Sequence, residues 1–267
     1  MKRSTVSALG VMLAWTVVAL ISPLAESAAT SVSLPDILTP PGSHQWLGTD
    51  ELGRSLAARV AIGARYSLLL ALVVVVVSFL IGATLGIAAA WLGGWIDVIT
   101  LRIIDVALAF PGMLLAIALA GLLGPGLDNL AIALVAVGWV GFARIARAQT
   151  LSQKQRDYVA VADALGVPAL VIARQHILPL IAAPLLVEAT FSFAAVVVAE
   201  AGLSFLGLGI QAPAPSWGSM IRDGSQFMLI APYFVAVPGM ALMSVVLAVS
   251  LLGDHLRDRW SQQSPSR

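Results

Sequence analysis

The sequence predicts an all-α polytopic membrane protein with six transmembrane helices. Three observations carry that expectation. Hydrophobic residues make up 59% of the chain and charged residues 11%, with a mean hydropathy of +0.95, whereas an average soluble domain is about 45–50% apolar and roughly 25% charged. Apolar runs recur near the ~20 residues a helix needs to cross a bilayer. Lys and Arg are shared unevenly between the connecting segments.

Residues 9–24 form the first run, preceded by Lys2 and Arg3. Ala25, Ser27 and Ala28 behind it also fit a cleaved signal peptide. Cleavage would leave five spans and a longer external tail, so a retained helix is the simpler expectation. The second run, residues 66–91, contains five consecutive valines from Val73 to Val77, and the third, 101–123, is broken by Pro111 and Gly112. The fourth, 130–142, is short and must extend toward Ile145. The fifth, 181–203, carries Glu188 and Glu200. The sixth, 229–252, is expected to kink or break near Pro238 and Gly239. Proline within a span is tolerated where neighbours or water satisfy the freed carbonyl.

With the N-terminus inside, Lys2, Arg3, Arg102, Arg144, Arg147, Lys154, Arg156, Arg174, Arg257, Arg259 and Arg267 lie on the inner side, against Arg54, Arg59, Arg65 and Arg222 outside. Both termini are therefore expected in the cytoplasm of a cell bounded by this plasma or inner membrane. The expected division is a first helix with a short cytoplasmic N-terminus (1–25), an extracytoplasmic loop (26–65), a core of five helices (66–253) and a cytoplasmic tail (254–267).

Several chemistries are excluded. The absence of cysteine removes disulfides, thiolate metal sites and cysteine nucleophiles. His44, His176 and His255 lie far apart, so no metal site is expected. Neither HExxH nor GxSxG occurs, so the chain does not read as an enzyme. Without a GxxxxGK[ST] loop it cannot hydrolyse ATP. A lone channel would need a ring-forming polar filter, for which Glu188 is a slender basis.

Four segments exceed what spanning requires. The outer loop is turn-rich through Pro35, Pro40, Pro41 and Gly42. Thr49 or Asp50 is positioned to cap a short interfacial helix toward Gly63, with Arg54 and Arg65 on nearly one face as snorkelling side chains; a substrate-facing role is the sharper alternative. In the inner segment Arg144 and Arg147 carry the fourth helix into the headgroup layer. Tyr158, Ala162 and Leu165 then recur at helical spacing, Gly166 ends that helix, Pro168 opens the next, and Pro179 leads into the fifth span. Residues 200–218, rich in glycine and proline, form irregular backbone that folds back at the outer mouth, with Trp217 as an interface anchor. Residues 252–259 form a polar stop to the sixth helix.

Four motifs give this pattern a specific likeness: HQWLGTDELGRSLAARVAIGARYSL at 44–68, DYVAVADALGVPALVIARQHILPL at 157–180, EAGLSFLGLGIQAPAPSWGSMIRDG at 200–224 and LLGDHLRDRW at 251–260. With the intervening spans they cover nearly everything after about residue 40. The chain resembles the second permease subunit of ABC importers for dipeptides, oligopeptides and nickel, with a type I importer transmembrane domain. The resemblance implies that residues 157–180 are the coupling loop that docks on an ATPase subunit, through Tyr158, Ala162, Asp163, Ala164, Leu165, Gly166, His176 and Pro179. The family pattern has Glu-Ala-Ala before the glycine; here Ala160 stands at the Glu position and Val161 at the next Ala, so one charge is missing, with Asp157 and Asp163 the acidic residues nearby.

The same resemblance implies a homologous second permease, two cytoplasmic ATPase subunits or domains that bind ATP and Mg, an extracytoplasmic substrate-binding protein, a lipid bilayer around the chain, and no nucleic acid. No cofactor is expected in this chain. Di- and oligopeptides are the expected substrates, with nickel, a metal chelate or haem as alternatives; the short N-terminal region leans toward the nickel-type members. Glu200, Gly207, Gly209 and Trp217 are assigned to the outer fold-back, Glu200 through hydrogen bonds. Glu188, on a different helical face, is the candidate for the translocation path, against a helix–helix hydrogen bond. Arg102 and Asp105, at i and i+3, are expected to pair.

Overall fold

The computed structural model describes residues 3–263, apart from the side chains of Arg3, Ala160, Asp163, Ala169, Leu170, His176 and residues 261–263, and the described residues form helices joined by loops and turns, with no strand. In chain order the helices are α1 (Arg3–Ile21), α2 (Glu26–Thr30), α3 (Leu56–Leu92), α4 (Gly94–Ala109), α5 (Gly112–Leu123), α6 (Leu127–Lys154), α7 (Asp157–Ala164), α8 (Ala169–Ile172), α9 (Leu178–Phe205), α10 (Trp217–Ser225) and α11 (Tyr233–Gln263). Helices α1 (with α2), α3, α6, α9 and α11 are each long and apolar enough to cross a bilayer. A sixth crossing exists if α4 and α5, bent by 90° at Phe110–Pro111, count as one broken span. The break follows from Pro111, which disfavours helical geometry at Phe110, and Phe110 is extended at φ −99°, ψ 139°.

The most extensive contact is between α3 and α6. Ser78, Gly82 and Gly86 lie four residues apart on one ridge of α3 and are all buried. A Cβ added at Gly82 would strike the Trp139 carbonyl oxygen and come within 2.6 Å of Phe142 Cβ; at Gly86 it would strike the Ala143 carbonyl oxygen. Small residues at four-residue spacing let two backbones touch, which is how helices associate in lipid when burial of apolar surface drives nothing. Phe79 and Phe142 close the seam edge to face at 5.7 Å.

Several boundaries differ from expectation. The second span begins at Leu56 and runs unbroken through the region read as a separate interfacial helix. Neither Thr49 nor Asp50 caps it, and Arg54 lies ahead of it, so Arg54 and Arg65 share no helical face. The sixth helix starts at Tyr233, because residues 226–232 form turns, and passes through Pro238 without a break. It also continues beyond residue 252. Gly253 is a packing residue there, since a Cβ would lie 2.6 Å from Thr190 Oγ1, and the polar residues that follow simply extend the helix into water. Arg102 and Asp105 are both exposed and unpaired among the described residues; the ion pair at this end joins Asp97 to Arg147 instead.

Candidate functional site

Helix α6 outruns the bilayer and delivers the chain to an elbow. Near its end Arg147 donates from Nε and Nη2 to Asp97 Oδ1 and Oδ2 at 2.5 and 2.7 Å, a two-pronged bond to α4. Its last residue, Lys154, donates 2.8 Å to the Trp91 carbonyl and sits 5.4 Å above that indole. The last carbonyls of a helix lack internal partners and carry partial negative charge, so a cation at the end of α3 is favourable. The elbow is thereby tied to α3 and α4 as well as to α6.

Asp157 opens α7, where an acid complements the helix dipole. Gly166, at φ +76°, closes it with two bonds, Leu165 N–H to the Val161 carbonyl at 3.0 Å and Val167 N–H to the Ala162 carbonyl at 3.1 Å. This is a glycine-terminated helix end in which only the left-handed residue reverses the chain. Pro168 accepts from Val171 and Ile172 to start α8. A single π-turn, Ala173–Ile177, follows before α9; Pro179 has no N–H to give, and the widened register accommodates the loss.

Val159, Ile172 and Ile177 pin the elbow to the core. Its outward side is apolar: Leu165 is 78% exposed, Val161 57% and Tyr158 41%. The outward stripe is therefore 158, 161, 165; Ala162, expected on it, packs toward the core. Ala164 is exposed, and Pro179 sits in the first turn of α9. The side chains of Ala160, Asp163 and His176 lie outside the described residues.

Glu188 stands half-buried on α9, its Oε1 2.7 Å from where a Gly141 Cβ would be. It has no hydrogen bond or ion pair among the described residues, and the nearby Arg144 of α6 attracts it. Ser192, Ala195 and Ala199 continue its helical face into a cleft of about 620 Å³, walled by Gly112 and Met113 of α5 and by Val137 and Gly138 of α6.

Toward the C-terminal end of α9 Glu200 is fully buried and accepts from Ser67 Oγ and Ser204 Oγ, each at 2.7 Å. A buried carboxylate needs such donors. Gly207, at φ +84°, ends α9 as Gly166 ends α7, with Leu208 N–H bonded to the Leu203 carbonyl at 2.9 Å. Gly209 lies so close to Ser204 Oγ that no Cβ fits. Ser216 and Ser219 cap α10 reciprocally. Trp217 is not an interface anchor. It is fully buried, donates 3.0 Å to the Val60 carbonyl, and meets Trp15 edge to face at 5.2 Å. Wedging α10 against α3, α9 and α1 satisfies the indole N–H and leaves no ring for the headgroup layer.

Sequence reasoning missed the buried polar hairpin before α3. Asp50 accepts from the backbone of Leu52 and Arg54, from Arg54 Nε at 2.6 Å, and faces Arg59 Nε at 3.2 Å outside hydrogen-bonding angles. Arg59 is 4% exposed and does not snorkel. Glu51 pairs with Arg54, while burial pushes its carboxyl above the usual range. The signal was an acid four residues before Arg54 and nine before Arg59, which the tight turn over residues 50–54 brings together.

Residues 82–262 match the family described as the inner membrane component of binding-protein-dependent transport systems. The dipeptide transport system permease protein DppC of Alkalihalophilus pseudofirmus is 38% identical over 261 residues, covering 97% of this chain and 86% of the relative. The glutathione transport system permease protein GsiD of Pectobacterium atrosepticum is 41% identical over 218 residues, 82% of this chain and 72% of the relative. In fold, a chain of the MetNI methionine ABC transporter, in inward-facing conformations, superposes with a TM-score of 0.60 at 19% identity, covering 75% of this chain and 95% of that one. This chain belongs to the inner membrane components of binding-protein-dependent transport systems, as an ABC importer permease of the multi-pass, all-helical type.

Proposed function

We propose that the chain forms one half of a translocation pathway for di- and oligopeptides, with both termini in the cytoplasm. A homologous permease supplies the other half, two cytoplasmic ATPase subunits or domains bind ATP and Mg, and an extracytoplasmic protein delivers substrate. The observation that carries the reading is the elbow: an apolar stripe of Tyr158, Val161 and Leu165 turned outward from a water-facing helix calls for a protein partner. Rigid ties from Lys154 and Arg147 to α3 and α4 transmit its displacement to the spans, so that ATP-driven closure switches the two halves between facing states. The relatives' roles as dipeptide and glutathione permeases support peptides as substrate.

Gly166→Val tests the coupling. No atom lies within 4 Å of a Cβ there, so the substitution acts only through backbone strain of about 1–3 kcal/mol. In proteoliposomes holding the whole transporter, peptide-stimulated ATP hydrolysis is expected to disappear while membrane insertion persists. Stimulation at the wild-type level rejects the elbow as the coupling element.

Glu188 is the pathway group under this reading, offering a carboxylate to a peptide's ammonium as it passes. Glu188→Gln is expected to lower peptide uptake about tenfold or more, a charged hydrogen bond being worth ~1.5–3 kcal/mol. Unchanged uptake by a normally assembled complex removes Glu188 from the path.

A further inference from the structure

We propose that a cleft between the last turns of α3 and the start of α9 binds an anionic phospholipid of the cytoplasmic leaflet. The leaflet assignment rests on the orientation proposed above; the binding chemistry does not. The cleft encloses about 450 Å³, within the ~300–1,000 Å³ range of small-ligand sites. Its floor is one face of α3, formed by Thr84, Ile87, Ala88 and Trp91, and Leu178 and Arg174 stand across from it. From Thr84 to Trp91 this face is about 10 Å long, comparable with the ~15 Å hydrocarbon depth of one leaflet.

The polarity of the cleft is graded from end to end. At depth Thr84 is the polar side chain, and its hydroxyl donates to the Leu80 carbonyl at 2.6 Å, so the deep part offers a ligand apolar contact and no side-chain donor. Arg174 is the charged residue that lines the cleft, and Lys154 stands outside the lining, against its Trp91 wall. Arg174 is exposed and forms no ion pair among the described residues. Lys154 lies over Trp91, with one Nζ donor bonded to the Trp91 carbonyl and two left over. Trp91 marks headgroup depth, where its ring is at home. One cation in the lining and a second against the Trp91 wall, beside an apolar trough, fit an anionic headgroup with its acyl chain, and basic clefts on the inner side of membrane helices take such lipids. The wall opposite α3 is the π-turn that follows the elbow, so a bound lipid bridges the coupling segment to α3.

The test counts lipids on the intact transporter complex by native mass spectrometry during titration with phosphatidylglycerol or phosphatidylcholine. One saturable phosphatidylglycerol site is expected. Arg174→Gln should weaken it about fivefold, the share of one cation at a lipid surface. Ala88→Phe, which fills the trough and leaves both cations in place, should abolish it in a complex that still assembles. Equal occupancy by phosphatidylcholine, an unaltered Arg174→Gln titration, or displacement by glycerol phosphate lacking acyl chains each overturns the proposal. Because the readout is lipid occupancy and not uptake, its failure leaves the transport reading standing, and failure of the transport reading leaves the lipid count interpretable.

Discussion

Trp217→Ala is expected to destabilise the protein by about 3–5 kcal/mol, the cost of truncating a large buried aromatic side chain. The ring is completely buried where α1, α3, α9 and α10 converge, so its removal leaves a cavity bounded by helices rather than a dent in a surface. Its edge-to-face partner Trp15 also loses its contact, and Trp15 is held in place by a 2.8 Å bond to Ser244 of α11. Helices α10 and α9 have little room to close the gap, because the backbone at Gly218 already touches the Ala201 carbonyl. Trp217→Phe separates the contributions: it keeps most of the ring and forfeits the hydrogen bond to Val60, about 1 kcal/mol. Denaturant titration in detergent micelles reads both. A loss under 1 kcal/mol for the alanine variant contradicts the wedge role.

Gly82→Leu is the second large effect. Even a methyl group at Gly82 meets backbone, at the Trp139 carbonyl oxygen and, at 2.8 Å, the Ala143 nitrogen. Backbone inside two packed helices cannot step aside as a side-chain tip does, so α3 and α6 must separate along their seam. In lipid that separation forfeits close van der Waals contact with no compensating solvent term. Overpacking of this kind costs about 1–3 kcal/mol at a single site, and here it strikes the largest helix contact of the fold. The expected result is loss of the monodisperse species in size-exclusion chromatography, with Gly82→Ala intermediate. Gly10→Leu is the control: no atom lies within 4 Å of a Cβ there, and the profile should not change. Equal behaviour of the two leucine variants refutes the seam.

Much of the fold was legible because lipid simplifies the code. A helix that must satisfy its own backbone in hydrocarbon announces itself as an apolar run, and so the spans around Val73–Val77 and Glu188 were found. The break at Pro111 was equally readable, because proline acts on its own neighbour. So were Gly166 and Gly207 as chain reversals, both at positive φ. Boundaries were misread where local signals compete with packing. Residues 56–65 carry two arginines and looked interfacial, yet Asp50 and the Ala29 carbonyl accommodate Arg59 and let α3 begin early. Gly253 looked like a stop and serves as a contact. Gly82 and Gly86 carried a visible four-residue signature of close helix approach, which the run of apolar residues around them hid.

The sequence by itself determined the membrane class, the places of the long apolar spans and the shape of the elbow, because those depend on hydropathy, proline and glycine acting within a few residues. Which way a side chain faces depends on partners far along the chain, and only the tertiary structure decided it. It turned Trp217 inward onto Val60, placed Val161 rather than Ala162 on the outward stripe of the elbow, and set Lys154 on Trp91. Periodicity defines the faces of a helix; only packing chooses which face meets the core, lipid or water.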